Sequence, residues 1–283
     1  MLDPSSSILD AEFIAFDLET TGCSPDFSEI VEIGAVRFRL DGTEIARFQQ
    51  LVDPRCRIPA ATTAVHGITD DMVADQPPIE EALPKFLKFL GDAEAIGMAH
   101  NAAFDVGFLN RALHRCNEVC PLTPVIDTVR LSRRWVHNCR RYTLAALGQH
   151  FGVADYVEHR GLSDSLVLKD VFLGVMREGL IVETVGDFLR LAKPKFFRAT
   201  KPPEKTPCLP SEFAALQAAA DSRSTVLMKY QSAKRGVAER SVTPRKFVQF
   251  RNTVYLLAFC HTDRKEKQYR LDRIRDFHVD SGE

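Results

Sequence analysis

Two carboxylate side chains stand two residues apart at the end of an apolar run near the start of the chain. Residues 13–16 are apolar, Asp17 and Glu19 follow them, and the turn residues 20–22 come next. Because side chains on a strand alternate between faces, Asp17 and Glu19 are expected to point the same way. Two neighbouring acids repel each other unless a cation lies between them, and Mg²⁺ takes carboxylate oxygens as ligands. A strand can also end in two acids by chance, so a metal site requires matching acids elsewhere.

Matching acids occur at two later positions. Asp105 ends the run His100-Asn101-Ala102-Ala103-Phe104-Asp105, at the start of a predicted helix that follows a short predicted strand at 95–99. Asp164 lies one turn into a helix predicted to begin near Leu162, and His159 precedes it by five residues. Four carboxylates carry four negative charges, which two divalent cations would offset.

These segments resemble a known family of enzymes. The runs FDLETTG, HNAAFD and HRGLSD match, in order and approximate spacing, the three motifs of the DnaQ-like DEDDh 3′→5′ exonucleases, which include proofreading subunits of bacterial replicative polymerases. The resemblance covers about residues 10–180. Gly161 stands where the family usually has alanine, which is expected to loosen the start of that helix without removing a functional group.

The resemblance implies a mechanism and the residues that perform it. Two Mg²⁺ or Mn²⁺ ions would be bound by Asp17, Glu19, Asp105 and Asp164, and His159 would act as the general base that takes a proton from the attacking water. The reaction would release nucleoside 5′-monophosphates from the 3′ end of nucleic acid, with single-stranded DNA preferred and RNA possible. The implied pocket for the terminal nucleotide consists of Leu18, Thr20, His66, Asn101 and Phe104. Leu18 and Phe104 equally fit a role in the core.

Composition excludes several other classes of protein. The chain has 283 residues, of which 45% are hydrophobic and 27% charged, a mix typical of globular proteins. No apolar run approaches the roughly 20 residues of a membrane-spanning helix, and the first residues lack the pattern of a signal peptide. The seven cysteines are scattered and form no Cys-x-x-Cys pair, which argues against a disulfide framework or a zinc site and favours the reduced cytoplasm.

Charge divides the chain into two unlike parts. Residues 1–190 carry 18 basic and 28 acidic side chains, a net charge of −10, whereas residues 191–283 carry 19 and 10, a net charge of +9. The first part is expected to bind a polyanion poorly outside its metal site, and the second to attract phosphates. Residues 191–210 contain five prolines and five basic residues and are predicted to be a linker. The predicted domains are therefore 1–190, the linker 191–210, and 211–283.

The pattern of the first domain predicts an α/β fold. Strand-like runs at 29–39 and 44–52 flank the turn signal Asp41-Gly42, so the chain is expected to open with a three-stranded antiparallel meander. Helical stripes then alternate with short strands at 95–99 and 125–126. The family resemblance implies an RNase H-like mixed five-stranded sheet with flanking helices.

A second resemblance lies in the third segment, 211–283. A helix is predicted at 211–220 with Ser211 as its N-cap, followed by strands at 225–230, 240–244, 246–250, 254–259 and 267–271. Four runs, LMKY, VTPR, NTVYLLA and YRLDRI, resemble a WYL domain, which implies a small, mostly β, Sm-like barrel that binds nucleic acid or a nucleotide ligand. Val254 replaces the namesake tryptophan. The implied ligand contacts are Tyr230, Arg245, Tyr255, Arg270 and Arg273.

Three alternatives to a DNA exonuclease remain open. The motifs serve exoribonucleases equally well, and the WYL-like module could be primary in a regulator or defence sensor. A non-catalytic binder is disfavoured because all five motif residues are intact. The sequence leaves the pathway, the WYL ligand and the oligomeric state undetermined.

Overall fold

Five strands of the N-terminal part form one mixed sheet in the computed structural model, in the order β3-β2-β1-β4-β5. The strands are β1 (Glu12–Thr20), β2 (Ile30–Arg39), β3 (Glu44–Leu51), β4 (Ala95–Ala99) and β5 (Val125–Asp127). The first three are antiparallel, whereas β4 and β5 run parallel to β1. The predicted meander and the RNase H-like α/β sheet are confirmed.

The structure describes residues 2–91, 95–120, 124–179, 182–194, 209–232, 236–250 and 253–279. The chain divides into two compact units, Met1–Thr200 and Lys201–Glu283. Residues 195–208, most of the predicted linker, lie outside the described residues, so the linker and the proposed domain boundaries stay predictions.

Eight helices lie in the described part of the N-terminal unit. They are α1 (Ala60–His66), α2 (Asp70–Val73), α3 (Ile79–Leu90), α4 (Ala103–Cys116), α5 (Thr128–Trp135), α6 (Leu144–Phe151), α7 (Gly161–Gly179) and α8 (Val185–Ala192). Ile14, Phe16 and Leu18 pack with α3 and α4 on one face. Phe13 and Ala15 pack with α5 to α8 on the other. β1 is thus the central strand, and burial on both faces explains its nearly continuous apolar sequence.

Five antiparallel strands form the sheet of the C-terminal unit, in the order β10-β6-β7-β8-β9. They are β6 (Val226–Ser232), β7 (Gly236–Phe250), β8 (Thr253–Cys260), β9 (Lys265–Arg270) and β10 (Ile274–Val279). The predicted mostly-β module is confirmed, while closure of its sheet into an Sm-like barrel stays a prediction.

Three details of that unit differ from the prediction. The two strands predicted at 240–250 are one strand, β7, with a register shift between Pro244 and Lys246. A proline lacks the N–H for the ladder and favours such an irregularity. Ser211 does not cap a helix: it begins a short 3₁₀ turn, and α9 (Ala214–Ser222) follows. β10 was not predicted.

Candidate active site

The carboxyl ends of β1 and β4 lie side by side because the two strands are parallel neighbours. β1 ends in the segment that holds Asp17 and Glu19, and β4 leads through three residues into α4, whose first turn holds Asp105. The backbone N–H of Leu18 donates a hydrogen bond of 3.2 Å to Oδ1 of Asp105. This bond joins the acid on α4 directly to β1.

Asp17 and Glu19 share the face of β1 that packs against α7. They lie two and four residues after Ala15, on the same face as Phe13 and Ala15, which belong to the apolar cluster on that face. The helix α7 begins at Gly161 and carries Asp164 in its first turn. The structure therefore brings the four predicted acids to one edge of the sheet.

Crowding of these acids shifts their pKa values upward. Burial is the main cause for Asp17, and the charges of Asp105, Glu19 and Asp164 raise its pKa further. Burial, with Asp164 next, raises the pKa of Glu19 to about 8. Burial also raises the pKa of Asp105 to about 7. Without a cation, Glu19 therefore keeps its proton at neutral pH and Asp105 is about half-protonated there.

The set of donors fits a hard divalent cation. A carboxylate oxygen of Glu19, a carboxylate oxygen of Asp164 and a ring nitrogen of His159 all lie within 4.8 Å of one another. Carboxylate oxygens are the ligands that Mg²⁺ and Mn²⁺ prefer, and excess negative charge favours their binding.

His159 lies on the solvent side of the acids. Its side chain is exposed, and its backbone is in the left-handed region with φ of 53°. Next to it, Oδ1 of Asp164 accepts a 3.2 Å hydrogen bond from the N–H of Glu158. The histidine is thus held beside the carboxylates while its ring remains open to water.

A buried glutamate that the sequence analysis missed anchors the segment containing His159. Glu32 on β2 is 0% exposed and lies opposite Glu19 in the strand pairing. Its carboxylate accepts hydrogen bonds from Arg160 (3.1 and 2.9 Å), from the N–H of Gly161 (2.8 Å) and from Gln49 (2.8 Å). Burial alone would raise the pKa of Glu32, but these bonds hold it below its ordinary value. An acid inside the apolar run of β2 was the available signal, because a buried acid needs partners.

Gly161 also has a different effect from the one expected. A Cβ atom on Gly161 would lie 2.7 Å from the backbone nitrogen of Gly34, and one on Gly34 would lie 1.8 Å from the carbonyl carbon of Gly161. The hydroxyl of Ser165 lies 2.6 Å from the Gly161 oxygen and 3.1 Å from the Gly34 oxygen. The expectation of a loosened helix start is wrong, because the two glycines let α7 begin in direct contact with β2.

Two of the predicted pocket residues, Thr20 and His66, are buried. The Thr20 hydroxyl donates to the carbonyl of Gly22 at 2.7 Å. Nδ1 of His66 accepts from the N–H of Ile68 at 3.0 Å. Burial lowers the pKa of His66, while the Thr20 backbone and the Glu32 charge oppose that shift. His66 therefore lies near the acidic site.

The remaining predicted pocket residues differ in exposure. The side chain of Leu18 is 3% exposed and packs in the core, so only its backbone reaches the site. Asn101 is exposed with φ of 66°, and its carbonyl accepts from the N–H of Phe104 at 2.9 Å. Phe104 is half-buried with its ring 4.9 Å from that of Phe108. Asn101 and Phe104 are thus the more accessible of the predicted pocket residues, whereas the Leu18 side chain packs in the core and Thr20 and His66 are buried.

Four of the five predicted ligand contacts in the C-terminal unit lie close together. Tyr255 is paired with Arg270 between β8 and β9, and the Tyr230 hydroxyl accepts from the N–H of Arg270 at 3.3 Å. The guanidinium of Arg270 binds Asp272 at 3.0 and 2.6 Å, and Arg273 acts on the same carboxylate. The fifth residue, Arg245, is exposed at the irregularity of β7.

Comparison with known proteins identifies both units. The exonuclease family RNase_T matches residues 14–172, and the WYL domain matches residues 211–279. The chain therefore belongs to the DEDDh-type exonuclease family and carries a WYL domain. Among the described residues, no helix has both the length and the apolarity needed to span a membrane.

Several individual proteins are similar to the N-terminal unit. A DNA polymerase III subunit epsilon of Aquifex aeolicus is 32% identical over 193 residues, covering 67% of this chain and 94% of that protein. A PolC-type DNA polymerase III of Clostridium perfringens is 38% identical over 162 residues, 57% of this chain but only 11% of the polymerase. The nuclease domain of 3′hExo, a DEDDh family member solved with rAMP, shares the fold with a TM-score of 0.54 and 20% identity, covering 70% of this chain and 100% of that domain.

We expect Glu32→Gln to lower the free energy of unfolding by about 1–3 kcal/mol, because it leaves Arg160 and the N–H of Gly161 without their carboxylate. Chemical denaturation of the full chain measures the change. Glu29→Gln is the matched control: Glu29 pairs with Arg115 on the surface at 2.8 Å and should contribute less than about 1 kcal/mol. Equal effects of the two substitutions would contradict the anchoring role of Glu32.

We expect the stabilisation by Mg²⁺ to grow with pH. Without metal, the folded protein holds a proton on Glu19 up to about pH 8, whereas the unfolded chain releases it near the ordinary value of 4.5. The free energy of unfolding of the metal-free protein therefore falls as pH rises through this window, and a bound cation removes that loss. The difference in Tm between Mg²⁺ and chelator should widen from about pH 6 to about pH 8. A constant difference, or equal widening in Glu19→Gln, would contradict the assigned proton.

Proposed function

We propose that the N-terminal unit is a metal-dependent 3′→5′ exonuclease that hydrolyses phosphodiester bonds and releases nucleoside 5′-monophosphates. The observation that carries the proposal is the convergence of Asp17, Glu19, Asp105 and Asp164 at one sheet edge with His159 beside them. Family membership supports nuclease activity, and the geometry supports the assignment of roles to individual residues.

The four carboxylates would hold two Mg²⁺ or Mn²⁺ ions. Such ions lower the pKa of a bound water and stabilise charge on the attacking and leaving oxygens. Asp17 and Glu19 contribute from β1, Asp105 from α4 and Asp164 from α7, so the donors belong to three elements fixed by the packing of the sheet. The hydrogen bond from Leu18 to Asp105 and the anchoring of Arg160 by Glu32 keep these donors in place.

His159 takes the proton of the attacking water. Imidazole is the side chain whose ordinary pKa lies closest to neutrality, so it can accept and release this proton in each turnover. Its ring nitrogen lies within 4.8 Å of the Glu19 and Asp164 oxygens, and its exposure allows the proton to pass to solvent.

The terminal nucleotide would lie against Thr20, His66, Asn101 and Phe104. Phe104 offers an aromatic face for an unstacked base, a contact that does not discriminate sequence. We propose single-stranded DNA as the substrate. Because the acids and His159 act on the phosphodiester that DNA and RNA share, the exoribonuclease alternative is tested in the same assay.

The WYL unit would supply a second contact with nucleic acid or a nucleotide ligand. Tyr230, Tyr255, Arg270 and Arg273 combine aromatic and cationic groups, and residues 191–283 carry a net charge of +9. If Arg273→Gln leaves the affinity for single strands and its salt dependence unchanged, this contact is not made. A regulator that acts through the WYL unit would then bind a ligand other than nucleic acid at that position.

The decisive assay follows strands labelled at the 5′ or the 3′ end. We expect 5′-labelled single strands to shorten stepwise and 3′-labelled strands to lose their label at once, with Mg²⁺ or Mn²⁺ and not with chelator or Ca²⁺, whose larger and looser coordination suits this chemistry poorly. Comparing the hydrolysis of DNA and RNA strands of the same sequence shows which of the two sugars the enzyme accepts. Full activity in excess chelator, or internal cleavage products, would contradict the proposal.

We expect His159→Ala to lower turnover by about 10²–10⁴-fold while leaving metal and substrate binding nearly unchanged, because it removes only the proton acceptor. Asp17→Asn should instead weaken metal binding and activity together. Turnover and metal affinity measured on both variants separate the roles. Wild-type turnover of His159→Ala across the pH range would show that another group is the base.

A further inference from the structure

A run of unopposed positive charge lies within the acidic N-terminal unit. Residues 128–154 contain no Asp or Glu, although residues 1–190 carry a net charge of −10. This run contains five exposed arginines on α5 and the segment that follows it. These arginines, which we call the arginine face, are Arg130, Arg133, Arg134, Arg140 and Arg141.

The arginine face differs from most other arginines of the N-terminal unit in its partners. Arg37, Arg47 and Arg115 each pair with a glutamate, whereas none of the five lies within 4.0 Å of a carboxylate oxygen in the described part of the chain. Arg133 lies 6.0 Å from the ring of Tyr142, and Arg134 lies 5.7 Å from the ring of Trp135. Their hydrogen-bond donors are therefore available to an external anion.

The arginine face begins at the edge of the sheet that holds the acids. The side chain of Asp127 caps α5 by accepting from the N–H of Val129 at 3.1 Å, and its charge raises the pKa of Asp105. The ring of His100 bonds to Oγ1 of Thr128 at 3.0 Å and to the carbonyl of Tyr142 at 2.9 Å. Both ends of the arginine segment are thus joined to His100, five residues before Asp105. The eight residues of α5 extend about 12 Å from that point.

A cavity beside part of this surface is lined by a third cationic side chain, that of Lys193. It has a volume of about 130 Å³ and is lined by Arg130, Arg134, Trp135, Leu191, Ala192 and Lys193. At roughly 30 Å³ per water, this space admits a phosphate group with some of its hydration. A planar guanidinium binds two phosphate oxygens at once, and Arg130 and Arg134 are one helical turn apart on the same side of α5.

We propose that the arginine face binds the phosphate backbone of nucleic acid upstream of the 3′ end that the carboxylates hold; this inference rests on the proposed function. Successive phosphates of one strand advance about 3.4 Å along the axis of a duplex, so a surface that follows this axis for 12 Å spans three to four of them. This proposal departs from the expectation that the acidic unit holds a polyanion poorly outside its metal site. The net charge conceals a basic surface next to the site.

The test uses two pairs of substitutions in the full chain, Arg130→Gln with Arg134→Gln and Arg140→Gln with Arg141→Gln. The matched control, Lys85→Gln with Lys88→Gln, removes two exposed positive charges from α3, on the opposite face of the sheet. Affinity for a single strand and for a duplex with a recessed 3′ end is measured in Ca²⁺ over a range of salt. The p-nitrophenyl ester of thymidine 5′-monophosphate, which has no upstream phosphate, reports the catalytic site separately.

Each lost phosphate contact should reduce the slope of log affinity against log salt by about 0.7–0.9, which corresponds to about five- to eightfold in affinity at 0.1 M salt. The affinity of the control variant should stay within about twofold of that of the unmodified protein. A loss of affinity for both the single strand and the duplex shows that the surface binds the strand being hydrolysed. A loss of affinity for the duplex alone shows that it binds the complementary strand.

Unchanged slopes in both pairs would overturn the inference. This is also the result expected if the surface binds an acidic protein instead of nucleic acid. An equal loss of activity on the ester and on the strands would also overturn the inference, because the defect would then lie in the catalytic site. Absence of ester hydrolysis by the unmodified protein would contradict the proposed function while leaving the binding comparison intact. Because the two pairs occupy different segments, one pair still tests the surface if the other fails to fold.

Discussion

Mutual repulsion among four carboxylates at one edge of the sheet is the constraint on which the rest of the N-terminal unit depends. Burial is the main cause of the raised pKa values of Asp17 and Glu19; the charges of Glu19, Asp105 and Asp164 raise that of Asp17 further, and Asp164 and Asp105 do the same for Glu19. Such a cluster lowers stability unless other contacts hold it together. The close approach of Gly34 and Gly161 and the hydrogen bonds that Glu32 accepts provide those contacts.

The same contacts explain how a solvent-exposed histidine can be positioned. The His159 side chain is exposed, and the next residue, Arg160, is bound to a fully buried glutamate 128 positions earlier in the chain. The left-handed backbone at His159 thus lies directly before a fixed residue. Stability of the fold and geometry of the site thus depend on one network, so substitutions in it should affect both.

Much of this arrangement was predictable from the sequence because its signals are local. The period-two alternation of β1 placed Asp17 and Glu19 on one face, and the Asp-Gly turn predicted the β2–β3 hairpin. The partners of Glu32 and the role of Gly161 were not predictable locally, since they arise when α7 packs against β2. The arginine face was missed for a different reason: its acid-free run, residues 128–154, is contiguous in the sequence, but the net charge of residues 1–190 averages over it. β10 was missed because its exposed, charged sequence lacks an apolar alternation.

Proton release on metal binding tests the central claim most directly. Because the pKa of Glu19 is about 8 and that of Asp105 about 7, the metal-free site holds protons at neutral pH that cations must displace. Calorimetric titration with Mn²⁺, in two buffers that differ in ionisation enthalpy, should show release of about one proton or more per protein near pH 7 and fewer near pH 9. Metal binding without proton release near pH 7 would show that the carboxylates are already ionised, and would contradict the account.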